Sequence, residues 1–162
     1  MSFRDRLTLD PQRGEHRDGA MRYMLLKPEA LMGIALHLPD DMRPAVFQAM
    51  ADSVFAAGGA SARAYRASGA RDGDALLATI AETAPQLGWG IWTFVRTSNT
   101  ITLEVENSPF AQGHGPSDHP VCAMIVGMLR AVGGMVLDTE VQVREIDCAA
   151  IASSHCRFHI TT

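Results

Sequence analysis

The stretch from His119 to Thr162 holds all three cysteines of the chain, Cys122, Cys148 and Cys156. From Val143 to Ile160 it reads V-R-E-I-D-C-A-A-I-A-S-S-H-C-R-F-H-I, so Glu145 stands three residues before Cys148 and Cys156 eight after it. Three thiols and a carboxylate form a donor set for a metal ion. Zn²⁺ takes four ligands in a tetrahedron, and sulfur, nitrogen and carboxylate oxygen all serve. The opposing reading is three buried, inert cysteines, since free Cys is among the most buried residue types. Spacing leaves both readings open, because there is no C-x-x-C pair and a carboxylate ligand makes the pattern loose. His114, His119 and His155 are further candidate ligands. His155, beside Cys156, is the substitute for Glu145, although loop histidines are most often simply exposed.

The elements around these residues are suited to bring them together. Val141, Val143 and Glu145 share one face of a strand, with Gln142, Arg144 and Ile146 on the other. Residues 149–154 are mostly small and suit a turn, and Arg157 to Thr161 runs back as a second strand. This hairpin brings Cys148 and Cys156 near each other with Glu145 close behind. Cys122 then arrives from a preceding helix and clamps it onto the hairpin.

The segment resembles the end of the V4R (4-vinyl reductase) domain family, which includes the sensor domains of phenol- and xylene-responsive activators. The resemblance is carried by Pro120-Val121-Cys122, by Glu145-x-x-Cys148 and by Cys156-Arg157-Phe158. It covers the chain from about Glu104 onward; over Met21 to Asn99 it rests on the order of elements. It implies a structural zinc site at Cys122, Glu145, Cys148 and Cys156, a pocket for an apolar or aromatic molecule, a homodimer, and a fold similar to vesicle-tethering subunits. One departure stands out: where the phenol sensors carry a Trp and a Tyr, this chain has Ile101 and Val143. That argues for a different or larger apolar ligand than phenol.

Taken from its beginning, the chain of 162 residues suits one domain with a sizeable core. Residues 1–20 are rich in charge and leave little to bury, which predicts a flexible or loosely docked arm before a domain over 21–162. A short strand is expected at Arg22 to Leu26. Pro28 suits the first turn of a helix that ends before Pro39. Asp40 or Asp41 caps the next helix, whose pattern Gly58-Gly59 interrupts, with either a kink there or a second helix through Tyr65. Asp72 or Asp74 begins a third, with Pro85 near its end. Gly88 to Val95 and Thr100 to Glu106 read as a hairpin turned at Thr97-Ser98-Asn99. Asn107 to Pro120 reads as a loop and Val121 to about Val136 as a helix. The sum is a mixed α/β (α+β) domain, with a mainly antiparallel sheet and helices packed on one face.

Composition excludes several functions. Hydrophobic content of 47% with 20% charged residues is that of a globular protein. A net charge of −4 argues against direct nucleic-acid binding, which needs a basic stripe. No apolar run approaches a membrane span. The charged start is no secretory signal, and an odd number of cysteines suits reduced thiols, so the expected location is cytoplasmic.

Catalytic machinery is not visible. There is no G-x-G-x-x-G after a strand, no P-loop and no H-E-x-x-H. Ser117, Asp118 and His119 are adjacent in sequence, and adjacency does not make a hydrolytic triad. A ligand-binding site is placed between the aromatic hairpin and the Cys122 helix, against Trp92, Phe94, Ile101, Met124 and Met128. The other reading of these residues is plain core.

Two functions follow. The first is a stand-alone sensor or carrier domain for a small hydrophobic or aromatic molecule, with zinc as its structural cofactor and no further module after it. The second is a bacteriochlorophyll-pathway protein similar to 4-vinyl reductase. An oxidoreductase of that kind needs a reductant and no cofactor motif is present, so tetrapyrrole carriage is its more credible form. A purely structural protein-interaction module is the third.

Overall fold

The computed structural model describes residues 2–68, 72–97 and 100–162. Among the described residues seven strands form two antiparallel sheets. β1 (Thr8–Asp10), β2 (Glu15–Asp18) and β3 (Met21–Tyr23) make a meander. β4 (Ile91–Arg96), β5 (Thr100–Glu106), β6 (Gln142–Asp147) and β7 (Cys156–Thr161) make the main sheet, in the order β4-β5-β7-β6. The helices are α1 (Phe3–Arg6), α2 (Pro28–Leu36), α3 (Arg43–Ser68), α4 (Gly73–Gln86), α5 (Pro109–His114) and α6 (Ala123–Leu137), with one 3₁₀ turn at Asp40–Met42.

The main sheet follows from alternation. In β5 Ile101, Leu103 and Val105 are buried, while Thr100 and Glu106 are exposed. The register sets Leu103 opposite Phe94 on one side and Phe158 on the other, so this row of the inner face is apolar up to β6, where Glu145 faces Phe158. The outer face carries Thr93, Glu106, His159, Gln142 and Arg144, all exposed. Helices pack on the inner face, as the sequence leads one to expect: α4 lies against β4, and α6 against β6 and β7.

Local signals hold at several element ends. Pro28 opens α2. Asp72 caps α4 by accepting a 2.8 Å hydrogen bond from the Ala75 N–H, an interaction worth about 1 kcal/mol. The turn expected at Thr97-Ser98-Asn99 falls partly outside the described residues, although the Thr97 N–H does donate to the Thr100 carbonyl at 2.9 Å.

Three expectations are corrected. Residues 1–20 do not form a bare arm: residues 3–18 carry α1, β1 and β2, Phe3 is buried against Tyr23, and Arg6 pairs with Asp18 at 3.1 Å. Some of the charges that suggested an arm are paired, Arg6 with Asp18 and Arg17 with Glu15. Gly58-Gly59 does not break the long helix, which runs unbroken from Arg43 to Ser68. Both glycines are buried where α3 meets α6, facing Met128 and Ala131, so their missing side chains serve close packing. Finally, the 107–120 loop contains a helix, α5, capped by Ser108.

The tightest crossing lies at Gly127 of α6, where an added Cβ would collide with the Ala51 carbonyl of α3. Backbone cannot yield as a side chain does. Gly127→Ala is therefore expected to cost at least about 2 kcal/mol despite its better helix propensity. Gly58→Ala meets only the flexible end of Met128 and should be near neutral or stabilising. Urea unfolding of the two variants checks this; equal midpoints would contradict the crossing.

Candidate metal centre

The hairpin of β6 and β7 places the chemistry. Glu145 pairs with Phe158 across the hairpin, on the inner face. A register shift between Glu145 and Asp147 lets the strand turn toward Cys148. The Cys148 carbonyl accepts from the Ile151 N–H at 2.9 Å, which closes the turn, and Cys156 opens β7 opposite Val105. Arg157, next in sequence, pairs with Glu104 and Asp147 at 3.0 Å each, tying three strands together at this level. Cys122 is the N-cap residue of α6.

These elements bring all four expected donors together. The ligand atoms of Cys122, Glu145, Cys148 and Cys156 lie within 4.8 Å of one another, and the three cysteines are buried and unbridged. The Cys122 and Cys156 sulfurs are 3.6 Å apart. A tetrahedron with metal–sulfur bonds of about 2.3 Å has an edge of about 3.8 Å, so that spacing suits two ligands of one ion. The Cys122 N–H donates to Glu145 Oε2 at 2.9 Å, joining the helix start to the hairpin. Glu145 Oε1 is buried with no hydrogen-bond partner. An orphaned carboxylate oxygen aimed among three thiols fits a cation: the polar group has a cost that protein atoms do not offset. His155 instead lies 3.1 Å from Arg157 Nη2 and from Ser154 Oγ, and His119 contacts Asp118.

Without an ion the electrostatics are strained. Burial, then the Cys148 thiol close beside it, push the Glu145 carboxyl up to about 8. Cys122 holds its proton far beyond the usual thiol range, because it donates to Cys148 and Cys156 and is buried. Cys156 falls to about 4, because it receives those thiol hydrogen bonds from Cys122 and Cys148, and the Ala149 N–H besides, at 3.3 Å.

A cavity of about 540 Å³ lies elsewhere, between the meander, α3, α4 and the start of β4. Of the five expected ligand-binding residues, Trp92 and Met128 line it. Phe94, Ile101 and Met124 are not among its walls; Ile101 is wholly buried in the core. Sequence reasoning missed Phe3, Met21, Tyr23, Ile80 and Trp89, which line the cavity as well. The apolar residues at 21, 23 and 25, spaced as on one strand face, were the available signal.

Set beside known proteins, residues 101–162 match the family model of the V4R domain, as the cysteine pattern led one to expect. No curated protein sequence matches the chain. Among solved structures, the phenol-responsive sensory domain of the transcription activator PoxR, crystallised with phenol, superposes with a TM-score of 0.84 at 19% identity, covering 98% of this chain and 85% of that one. Subunit 3 of the trafficking protein particle complex from Naegleria fowleri, covalently bound to palmitic acid, gives 0.60 at 15% identity over 83% and 93%. A vinyl-4-reductase family protein from Methanocaldococcus jannaschii gives 0.50 at 11% over 88% and 98%. At these identities the likeness is one of fold. No helix among the described residues is long and apolar enough to cross a membrane.

The strained carboxyl has a pH signature in the metal-free protein. Glu145 titrates near 4.5 when unfolded and about 8 when folded, so the stability it contributes is full below pH 4.5 and lost as pH rises to 8. Cys156, lowered from 9.0 to about 4, acts oppositely: its contribution is present above pH 9 and lost as pH falls to 4. Glu145→Gln removes the first effect, while its lost charge lowers Cys156 a little further. The midpoint of the variant minus that of the parent, in chelator, should grow from pH 4.5 to 8. A flat difference would mean that the carboxyl is not strained.

Proposed function

We propose that this chain is a small-molecule-binding domain of sensor or carrier type, taking an apolar ligand in the 540 Å³ cavity and holding a structural zinc ion at Cys122, Glu145, Cys148 and Cys156. The cavity carries the reading. Its volume lies within the range of about 300–1,000 Å³ usual for ligand sites. Its walls are chiefly apolar, and much of their polarity is already spent. The Trp92 indole N–H donates to the Trp89 carbonyl at 2.9 Å, and the Thr83 hydroxyl to the Thr79 carbonyl at 2.7 Å. Gln86 accepts from the Arg4 N–H and donates to the Glu82 carbonyl. Beside His16 and Arg22, what remains for a ligand is mainly ring faces and methionine side chains, surfaces that adapt to shape. The fold likeness to a sensory domain solved with phenol supports the same reading.

A thermal-shift panel of phenol, fused-ring hydrocarbons, lipids and a tetrapyrrole tests the cavity. Fused-ring or aliphatic compounds should raise the midpoint more than phenol, and a ligand at a hundred times its Kd adds about 2.7 kcal/mol. Gly58→Leu, which fills the cavity from α3, should abolish the shift. No shift with any compound would remove the binding reading.

Zinc follows from the donor set. Thiolates select soft or borderline ions, and four protein ligands leave no open position, so the ion serves folding. Native mass spectrometry of the purified protein should show one zinc per chain in a homodimer, with Cys148→Ser losing the zinc and chelation lowering the parent's midpoint. Well under one equivalent, or a Cys148→Ser variant still fully loaded, would overturn the zinc; a monomer mass would overturn the dimer alone.

A further inference from the structure

A second cleft, of about 450 Å³, borders the metal centre on the Glu145 side, with none of the three cysteines in its lining. It lies between α3, the start of α6 and β6, the edge strand of the main sheet, and Glu145 forms part of its wall. The four donors differ in their hold on the fold. Cys122, Cys148 and Cys156 are buried on short side chains at a helix cap, a tight turn and a paired strand. Glu145 is the one donor that is not fully buried. Its side chain is also the longest, and one of its two oxygens has only the Cys122 N–H as partner while the other has none.

We propose that Glu145 is the exchangeable arm of the metal centre, and that the cleft beside it admits a compact thiolate donor in its place. This rests on the metal reading above. The cleft supplies the room into which the carboxylate swings. Phe47, Ala51, Ala123 and Val126 make its apolar wall, which favours a small uncharged stem on the incoming donor. Arg144, exposed and without an ion pair among the described residues, stands at the rim and attracts an anion. Sulfur suits the three-thiolate set better than carboxylate oxygen does. In the exchange the metal–oxygen bond breaks, a metal–sulfur bond forms, and the thiol's proton passes to solvent; nothing is oxidised or reduced.

Cobalt-substituted full-length protein titrated with 2-mercaptoethanol tests this, because each thiolate adds to the sulfur-to-cobalt charge-transfer band. The band should rise by about a third as a fourth thiolate joins three. Ala123→Phe and Gln48→Trp both fill the cleft and should raise the thiol concentration needed at least about tenfold. Gln48 is an exposed position of α3, so its variant remains informative if Ala123→Phe does not fold. A band unchanged at saturating thiol with cobalt retained overturns the proposal, as do cleft-filling variants that titrate like the parent. A protein that develops no cobalt band at all overturns the metal reading along with it.

Discussion

The main sheet has one apolar face, and the rest of the molecule is arranged to keep water from it. Ile101, Leu103, Val105, Phe158 and Ile160 are wholly buried. At roughly 25 cal/mol per Å² of apolar surface, such a face outweighs any single polar contact in the chain. α6 lies across it, with Gly133 so close to Ile160 that a Cβ would come within 2.8 Å of it. α6 is itself apolar on several sides, so α3 must cover it, and Gly127 lets the two backbones approach. A requirement of burial thus fixes the angle at which α6 arrives, and with it the place of Cys122.

That placement turns a packing decision into chemistry. The start of α6 carries unpaired N–H groups, where negative charge is favoured. Glu145 meets it there, accepting from the Cys122 N–H. The same contact draws the carboxylate out of water into a nest of thiols, where burial raises its affinity for a proton. A cation relieves that cost more fully than a proton does, since it engages the three sulfurs as well. The four donors are thus compatible with a metal ion.

The cavity arises at the other end of the same arrangement. Ile101 of the sheet and Leu129 of α6 are both wholly buried, and neither lines the cavity. The space opens instead where α3 and α4 diverge and the small meander covers them, so Phe3, Met21 and Tyr23 reach the wall from the start of the chain. Metal centre and cavity share α6, with Cys122 at its cap and Met128 farther along.

Much of this was legible in the sequence, because much of it is local. The strand alternation that sets Val143 and Glu145 on one face, the caps at Pro28 and Asp72, and the spacing of Cys148 and Cys156 around a turn of small residues all act within a few positions. They determined the hairpins, most of the helices and the three donors of the last hairpin, whereas Cys122 joins them only through the packing of α6. The cavity, the role of the first 23 residues and the continuity of α3 were decided only by tertiary structure. Gly58-Gly59 looks like a break because glycine weakens an isolated helix by about 1 kcal/mol per residue, yet burial against α6 repays that loss. Trp92 and Ile101 look alike in the pattern, since both face inward; which of them meets a void depends on how four distant segments diverge. Periodicity reports which side of an element is buried, whereas what it is buried against is a property of the assembled fold.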